Sequence, residues 1–162
     1  MTISNLQMVK QFMRVFKQNY SDVVTTDVDP EIIKLRLRLA LEELEEFFFA
    51  VLNKDSQKAI NKHFHSINRA INKLAPSDFD VDIIEVADSL TDIEYINNGT
   101  AAVFGIPLDL TFQEVHRSNM SKLDADGKPI FREDGKVAKS DLYSPPDLTF
   151  ILNPKLDTSV NE

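Results

Sequence analysis

The sequence predicts an all-α fold: a helical bundle of about five helices with a small C-terminal hairpin and irregular segment. The 162-residue chain contains only four glycines, and three of them lie at or beyond Gly105. Up to about residue 122, apolar residues recur at the spacing of a helix face. Because glycine and proline are the main breaks in such patterns, most of this part is expected to be helical.

The starts of the first two helices can be placed from their capping residues. Ser4 is expected to cap the first helix. The apolar face of this helix contains Val9, Phe12, Met13 and Phe16. Asp29 followed by Pro30 predicts the start of the second helix, because aspartate caps helices and proline suits the first helical position. This helix is expected to run to about Asn53.

A third, amphipathic helix is expected after Ser56 and is broken at residues 75–77. Its apolar positions are Ile60, Phe64, Ile67, Ile71 and Leu74. The fourth helix is expected to open at Asp80 or Asp82 and to run to about Phe104, directly before a glycine.

The last third of the chain changes character. Residues 111–114 (TFQE) have the spacing of a capping box and predict the start of a fifth helix. Asp134-Gly135, between the segments 130–133 and 136–139, predicts a hairpin on a type I′ turn. Residues 1–152 are expected to form a single domain, and residues 153–162 a flexible tail.

Composition limits the classes of function. The formal net charge of −8 argues against broad nucleic-acid binding, which needs a basic surface. No apolar run is long enough to cross a membrane, and the N-terminus lacks the pattern of a signal peptide. The absence of cysteine excludes a disulfide framework and thiolate chemistry, and fits the predicted cytoplasmic location.

Two carboxylate clusters on separate predicted helices are the strongest functional signal. The first is Glu42-Glu43-Leu44-Glu45-Glu46, and the second is Glu85-Val86-Ala87-Asp88 with Asp92 one turn further. Glu43 and Glu46 are spaced i, i+3, and so are Glu85 and Asp88. Each pair therefore shares one helix face.

A glutamate run is more often a solvated face, so the helical wheel has to decide which way these side chains point. On the second helix, Glu43 and Glu46 fall on an apolar stripe and are predicted to point inward. Glu45 falls among basic residues and is predicted to point outward, with Glu42 at the boundary.

On the fourth helix the same reasoning turns Glu85, Asp88 and Asp92 inward and Glu94 outward. Burying unpaired carboxylates is costly, and these helices carry too few inward lysines and arginines to neutralise both groups. A hard divalent cation such as Mg²⁺ prefers oxygen ligands and would offset that cost. The two clusters therefore predict a Mg²⁺ or Mn²⁺ site.

These motifs resemble those of the all-α nucleoside triphosphate pyrophosphohydrolases, which include the MazG proteins, the dimeric dUTPases and phosphoribosyl-ATP pyrophosphohydrolase. Glu42-Glu43-x-x-Glu46 matches the first motif and Glu85-x-x-Asp88 the second. Residues 5–150 are similar to a narrower MazG-like subgroup. The features of that similarity are Asp92, Tyr95, Gly99-Thr100-Ala101, Phe104-Gly105-Ile106-Pro107, residues 116–122 (HRSNMSK), Asp134-Gly135-Lys136-Val137, Lys139 and Tyr143-x-Pro145-Pro146-Asp147-Leu148.

The resemblance implies metal-dependent hydrolysis of a nucleoside triphosphate to the monophosphate and pyrophosphate, by attack of water at the α-phosphorus. It implies Glu43, Glu46, Glu85 and Asp88 as ligands of Mg²⁺ or Mn²⁺. Glu42 and Glu43 are the implied catalytic residues, and Glu42 would complete the metal site or accept the proton of the attacking water.

The resemblance also implies a set of nucleotide-binding residues. They are Asp92, Tyr95, Asn119, Lys122, Lys136, Lys139 and Tyr143. Asn119 and Lys122 are spaced i, i+3 at the end of a predicted helix, so both can reach one ligand, and Lys122 would offset phosphate charge. Asp92 is either a further metal ligand or a contact to the base and sugar.

Several alternatives remain open at this stage. The preferred base is undetermined between dUTP and a purine nucleotide such as dGTP. Phosphoribosyl-ATP pyrophosphohydrolase is the alternative enzyme, although the Ser-Asn-Met-x-Lys segment and the hairpin argue against it. A catalytically silent nucleotide-binding protein is another alternative, against which the full set of motif carboxylates counts. Residues 124–127 begin like a calcium loop but lack its later acidic ligands, which excludes an EF-hand.

The second and fourth helices are apolar around most of their circumference. The residues concerned are Leu37, Leu41, Leu44, Phe48 and Val51 on one, and Val86, Leu90 and Ile93 on the other. A small bundle can cover one side of each helix, so burial on two sides predicts a homodimer or a dimer of dimers. The expected partners are a nucleoside triphosphate and a second copy of the chain, with no nucleic-acid polymer and no membrane.

Overall fold

The computed structural model describes residues 3–132 and 137–153, and this part of the chain is all-α, as predicted. Its helices are α1 (Asn5–Val15), α2 (Pro30–Val51), α3 (Lys54–Lys73), α4 (Ile83–Phe104), α5 (Leu108–Met120) and a short α6 (Thr149–Leu152). A 3-10 turn at Pro76–Asp78 lies between α3 and α4. Within the described ranges, no helix has the length and apolar character that a membrane crossing requires.

The chain divides into two compact units. One unit, Val23–Ala87, contains α2, α3, the 3-10 turn and the first residues of α4. The other contains the described residues up to 22 and from 88 onward, and so holds α1, the rest of α4, α5 and α6. The single domain over residues 1–152 stays a prediction, and all of the predicted tail except Asn153 lies outside the described residues.

In the first of these units, α2 and α3 form an antiparallel helical hairpin. Asp29 caps α2 as predicted, accepting from the Glu31 N–H at 2.9 Å. Asn53 caps α3, accepting from the Ser56 N–H at 3.0 Å, so α3 begins before Ser56 and not after it. The rings of Phe48 and Phe64 pack edge to face, with centroids 5.6 Å apart, and join the two helices near their connection.

Helix α1 belongs to the other unit and packs against α5. Its predicted cap is confirmed as a reciprocal capping box: the Gln7 N–H donates to Ser4 Oγ at 3.2 Å, and the Ser4 N–H donates to Gln7 Oε1 at 2.8 Å. Phe16 is fully buried, and Phe12 stacks on it at 4.3 Å between centroids. Met8 is the other buried side chain, a position that the predicted apolar face did not include.

The starts of α4 and α5 explain one correct and one wrong prediction. Asp82 opens α4, since its Oδ1 accepts from the N–H groups of residues 84 and 85 at 2.9 and 3.2 Å. Gly105, at φ +67°, ends α4 in the left-handed region that glycine tolerates. The predicted cap at Thr111 is wrong. Its N–H already bonds the Pro107 carbonyl, so α5 begins at Leu108, one turn earlier, and Thr111 is buried inside the helix.

Of the predicted hairpin, the described residues contain one isolated antiparallel bridge, between Phe131 and Val137. The Ala138 N–H also donates to the Ile130 carbonyl at 2.8 Å. The turn residues 133–136 lie outside the described residues, so the predicted type I′ turn stays a prediction.

Candidate active site

The first carboxylate cluster lies in the middle of α2. The side chains of Glu42, Glu43 and Glu46 are all exposed. Although Glu43 is exposed, partial burial raises its pKa, and the negative charges of Glu46 and Glu42 raise it further. The ionised form of Glu43 is therefore less stable than that of an ordinary glutamate, and a nearby cation would stabilise it.

The predicted inward and outward directions of these glutamates are wrong for the single chain. Glu45, predicted to point outward, is half-buried, whereas Glu43 and Glu46, predicted to point inward, are exposed. The wheel correctly placed Glu45 on the face of Lys34 and Arg38, but that face packs on α3.

This face is covered because it also carries apolar residues: Leu41, Phe48 and Phe49 are half-buried on it, and Phe48 packs on Phe64. Lys34 Nζ donates to the Leu74 carbonyl at 3.1 Å, and Arg38 donates to Asn72 Oδ1 at 3.0 Å. Charged side chains can line a helix contact when such acceptors satisfy them. The stripe of α2 that carries Glu43 and Glu46 lies on the other side of the helix, where Leu39 is 40% exposed.

The second carboxylate cluster lies on α4, where every residue from 84 to 99 is exposed. Glu85, Asp88 and Asp92 are thus accessible, and their predicted inward direction is not found within the chain. Glu94, predicted to point outward, is exposed, and Tyr95 is 81% exposed. Since Asp82 sets the start of α4, the i, i+3 relation of Glu85 and Asp88 holds on a regular helix.

The carboxylates of the two clusters are the candidate donors for a metal ion. No three His, Asp or Glu side chains of the described residues lie close enough together to form a metal-binding group. The chemistry of the donors does fit a hard cation, because the α2 cluster offers several carboxylate oxygens, and partial burial together with the neighbouring charges raises the pKa of Glu43. The residues therefore suit Mg²⁺ or Mn²⁺ in chemical type.

A second set of predicted site residues comes together at the C-terminal end of α5. Lys122 Nζ donates to Asn119 Oδ1 at 2.8 Å and lies 5.9 Å from the centroid of the Phe12 ring. Lys139 Nζ lies 4.2 Å from the centroid of the Tyr143 ring. Four predicted nucleotide-binding residues thus form one basic and aromatic group; Lys136 lies outside the described residues.

Tyr143 interacts electrostatically with both lysines of this group. A hydrogen bond with the Ser118 hydroxyl lowers the pKa of the Tyr143 phenol, and the positive charges of Lys139 and Lys122 lower it further. Positive potential is therefore concentrated at the phenol oxygen, which suits the binding of an anionic ligand.

The structure adds contacts to which sequence reasoning assigned no role. Residues 138–148, here named the strap, run along α5 and are held to it by hydrogen bonds. The α5 residues and neighbours involved are Glu114, Arg117, Ser118, Ser121 and Leu123. Ser118 is 3% exposed. Arg117, Ser118 and Ser121 lie in the segment 116–122 that carries the family resemblance. Neither that motif nor the i, i+3 spacing of Glu114 and Arg117 signals a contact with a distant segment.

Comparison with known proteins gives two findings. The family model for phosphoribosyl-ATP pyrophosphohydrolase matches residues 9–119. A solved structure described as a "putative NTP pyrophosphohydrolase" from Exiguobacterium sp. 255-15 has a TM-score of 0.70 and 29% sequence identity, covering 96% of this chain and 93% of that one. Comparison with curated proteins gave no significant match.

The matched range contains both carboxylate clusters and ends at Asn119, just before the loop that leads to the strap. The all-α architecture and the solved structure agree with that assignment. This chain belongs to the phosphoribosyl-ATP pyrophosphohydrolase family, one of the all-α nucleoside triphosphate pyrophosphohydrolases, and it is a pyrophosphohydrolase enzyme.

Proposed function

We propose that the enzyme hydrolyses a nucleoside triphosphate at the α-phosphorus and releases the monophosphate and pyrophosphate. The observation that carries this proposal is the concentration of carboxylates on α2, where partial burial and then the charges of Glu46 and Glu42 raise the pKa of Glu43. An exposed anionic surface of this kind is unsuited to a triphosphate by itself, so the proposal includes a divalent cation that reverses the local charge.

Members of this family typically use a divalent metal. The proposed ligands of Mg²⁺ or Mn²⁺ are Glu43, Glu46, Glu85 and Asp88. A bound cation of this kind neutralises triphosphate charge and stabilises the entering and leaving oxygens of the displacement. Glu42, beside the proposed ligands, is the residue to which we assign acceptance of the proton from the attacking water.

Binding of the nucleotide is assigned to the basic and aromatic group at the end of α5. Lys122 and Lys139 would contact phosphate oxygens, supported by their proximity to the Tyr143 phenol. Asn119 holds Lys122 in place through a 2.8 Å hydrogen bond. The remaining proposed nucleotide contacts are Asp92, Tyr95 and Lys136.

Two substrate classes are supported about equally. The resemblance of the Ser-Asn-Met-x-Lys segment favours a deoxynucleoside triphosphate, dUTP or a purine such as dGTP. The family match favours phosphoribosyl-ATP, by the name of the family whose model matches. Both substrates present a triphosphate chain that would be cut at the same phosphorus, so the proposed roles of the residues are the same for either.

We also propose that the enzyme is a homodimer or a dimer of dimers in the cytoplasm. No residue of α2 is buried within the chain, and on α4 only Ala101 is. Leu90 and Ile93 of α4 are 62% and 53% exposed. Apolar surface of this extent on two long helices is typical of a face that another subunit covers.

A substrate panel tests the proposed activity. The purified protein is incubated with dUTP, dGTP, the other deoxynucleotides or phosphoribosyl-ATP, with Mg²⁺ or with excess chelator, and both pyrophosphate and orthophosphate are measured. Pyrophosphate release from at least one substrate, dependent on the metal, is the expected result. Orthophosphate as the first product, or full activity in chelator, would contradict the proposal.

A further inference from the structure

The far end of the strap is fixed by one ion pair on α5. Arg117 Nε and Nη2 donate to the two carboxylate oxygens of Glu114 at 2.7 Å each, a bidentate geometry. Glu114 Oε1 also accepts from the Asp147 N–H at 2.9 Å, and Arg117 Nη2 donates to the Pro145 carbonyl at 3.2 Å. The pair thus bonds backbone groups 28 and 33 residues further along the chain.

The near part of the strap is fixed by serines. Ser140 Oγ donates to the Leu123 carbonyl at 2.6 Å. The Ser144 N–H donates to Ser121 Oγ at 2.9 Å. Tyr143 lies between these two attachments in the chain, just before the contacts of the Glu114–Arg117 pair, and the Lys139 ammonium lies over its ring.

Glu114 differs from Asp55, the carboxylate of another i, i+3 ion pair, in what it holds. The Lys58–Asp55 pair is 3.5 Å long and exposed, with side chains 80% and 95% accessible, whereas the Glu114 side chain is 18% accessible. Arg117 and the Asp147 N–H together lower the pKa of Glu114 to about 2, so the carboxylate is ionised at any physiological pH. A permanently ionised acceptor of this kind suits a fixed attachment.

We propose that Glu114 is a positioning residue for the substrate phosphates: together with Arg117 it holds the strap on α5, and the strap thereby keeps Lys139 and Tyr143 next to Lys122. This inference rests on the proposed function, which assigns the two lysines to phosphate. Glu114 itself contacts no substrate. When the strap is released, the lysines no longer act on one ligand, and the apparent affinity falls with the fraction of molecules in the attached state.

The kinetic test compares Glu114→Gln and Glu114→Ala with the wild-type enzyme. Asp55→Asn is the matched control, because it also removes the carboxylate of an i, i+3 pair but touches no distant segment. KM for the nucleotide is expected to rise about three- to tenfold in Glu114→Ala, as loss of charge-assisted hydrogen bonds lowers the attached fraction. Glu114→Gln, which retains an acceptor for the Asp147 N–H, is expected to lie between. The turnover number should change little, and Asp55→Asn should leave both parameters unchanged.

A readout independent of activity is amide hydrogen exchange in the nucleotide-free protein. In Glu114→Ala, exchange over residues 140–148 should become faster while α2 and α3 keep their protection. In ¹³C-tyrosine NMR, with the signal assigned by Tyr143→Phe, the phenol pKa should move back up towards its ordinary value because Lys139 and Ser118 no longer hold it. Unchanged exchange over the strap would show that Glu114 does not hold it, and would overturn the proposal.

Failure of this inference and failure of the proposed function give different results. Faster strap exchange with an unchanged KM, while Lys122→Ala still raises KM, overturns positioning and leaves the proposed function standing. Unchanged KM in both Lys122→Ala and Lys139→Ala shows that the lysines do not bind phosphate. That result overturns the phosphate assignment, and with it the positioning role, even if the strap loosens.

Discussion

Replacing Glu43 by glutamine tests the charge balance of the candidate active site. In the metal-free protein this change removes a carboxylate whose pKa is raised by partial burial and by Glu46 and Glu42. A like-charge pair one helix turn apart costs about 0.2–0.5 kcal/mol, and the exposure of Glu43 keeps its desolvation small. The metal-free variant should therefore gain about 0.5 kcal/mol in stability, or about 1–2 °C in Tm for a chain of this size.

With Mg²⁺ the wild-type protein should be more stable than Glu43→Gln. A cation present at about 100 times its Kd stabilises the wild-type protein by about 2.7 kcal/mol, which corresponds to about 5–10 °C. Glu43→Gln should lose most of that increase. Because transition-state stabilisation by a metal is worth several kcal/mol, turnover should also fall by about 100-fold or more.

The measurement is thermal unfolding followed by circular dichroism, with Mg²⁺ and with chelator. Glu45→Gln is the matched control, since it removes the same charge from the α3-facing side of α2 and should keep both the Mg²⁺ effect and the turnover. pH gives a further check: a raised carboxyl pKa destabilises the metal-free protein above that pKa, and the cost disappears as the pH falls towards the ordinary value of 4.5. A Glu43→Gln variant that is less stable without metal, yet keeps the full Mg²⁺ effect, would refute the reasoning.

Four further outcomes are expected. Glu85→Gln and Asp88→Asn should each abolish most pyrophosphate release while leaving the helix content in circular dichroism unchanged; wild-type rates in either would remove that residue from the site. Light scattering at micromolar concentration should give a mass at least twice 18.4 kDa, and a fully active monomer would contradict this. Leu39→Asp should weaken the association of the subunits at least about 30-fold, because each of two copies loses about 1 kcal/mol from the burial of Leu39. The Glu114 carboxyl should titrate near pH 2 in ¹³C NMR, and a midpoint above pH 4 would exclude its pairing with Arg117. Because the pKa is lowered, the contribution of this carboxylate to stability is present above pH 4.5 and is lost as the pH falls towards 2. Ser4→Ala should cost about 1 kcal/mol, or about 2–4 °C in Tm, by loss of the capping box, and an unchanged Tm would show that the cap contributes nothing.

Local chemistry made most helix boundaries predictable. Capping depends on one side chain and the next few N–H groups, so Ser4, Asp29 and Asp82 mark helix starts in sequence as well as in structure. Thr111 shows where this reasoning stops. Residues 111–114 have the spacing of a capping box, but the helix is capped at Pro107 and begins at Leu108. The sequence alone does not show which of these two positions starts the helix.

The sequence did not show which face of each helix is covered by its neighbours. The wheel grouped Glu45 with the basic residues of α2 correctly, but which face is covered depends on what α3 offers. Phe48 shares the face of Lys34 and Arg38 and packs on Phe64 of α3. The Leu74 carbonyl and Asn72 accept hydrogen bonds from the two basic side chains, so the face that carries these charges is covered while Leu39, on the other side, is 40% exposed.

The sequence by itself determined the all-α class, most caps, the carboxylate spacing and the family, because each depends on residues near one another in the chain or on a pattern of residue types. Only the tertiary structure decided that Asn119, Lys122, Lys139 and Tyr143 lie together, and that Glu114 and Arg117 hold the strap beside them. The hydrogen bonds that attach the strap connect residues 17 to 33 positions apart, and they join serine hydroxyls, backbone groups and one common ion pair. Such contacts leave no periodic trace in a sequence, since any solvent-exposed helix carries the same residue types.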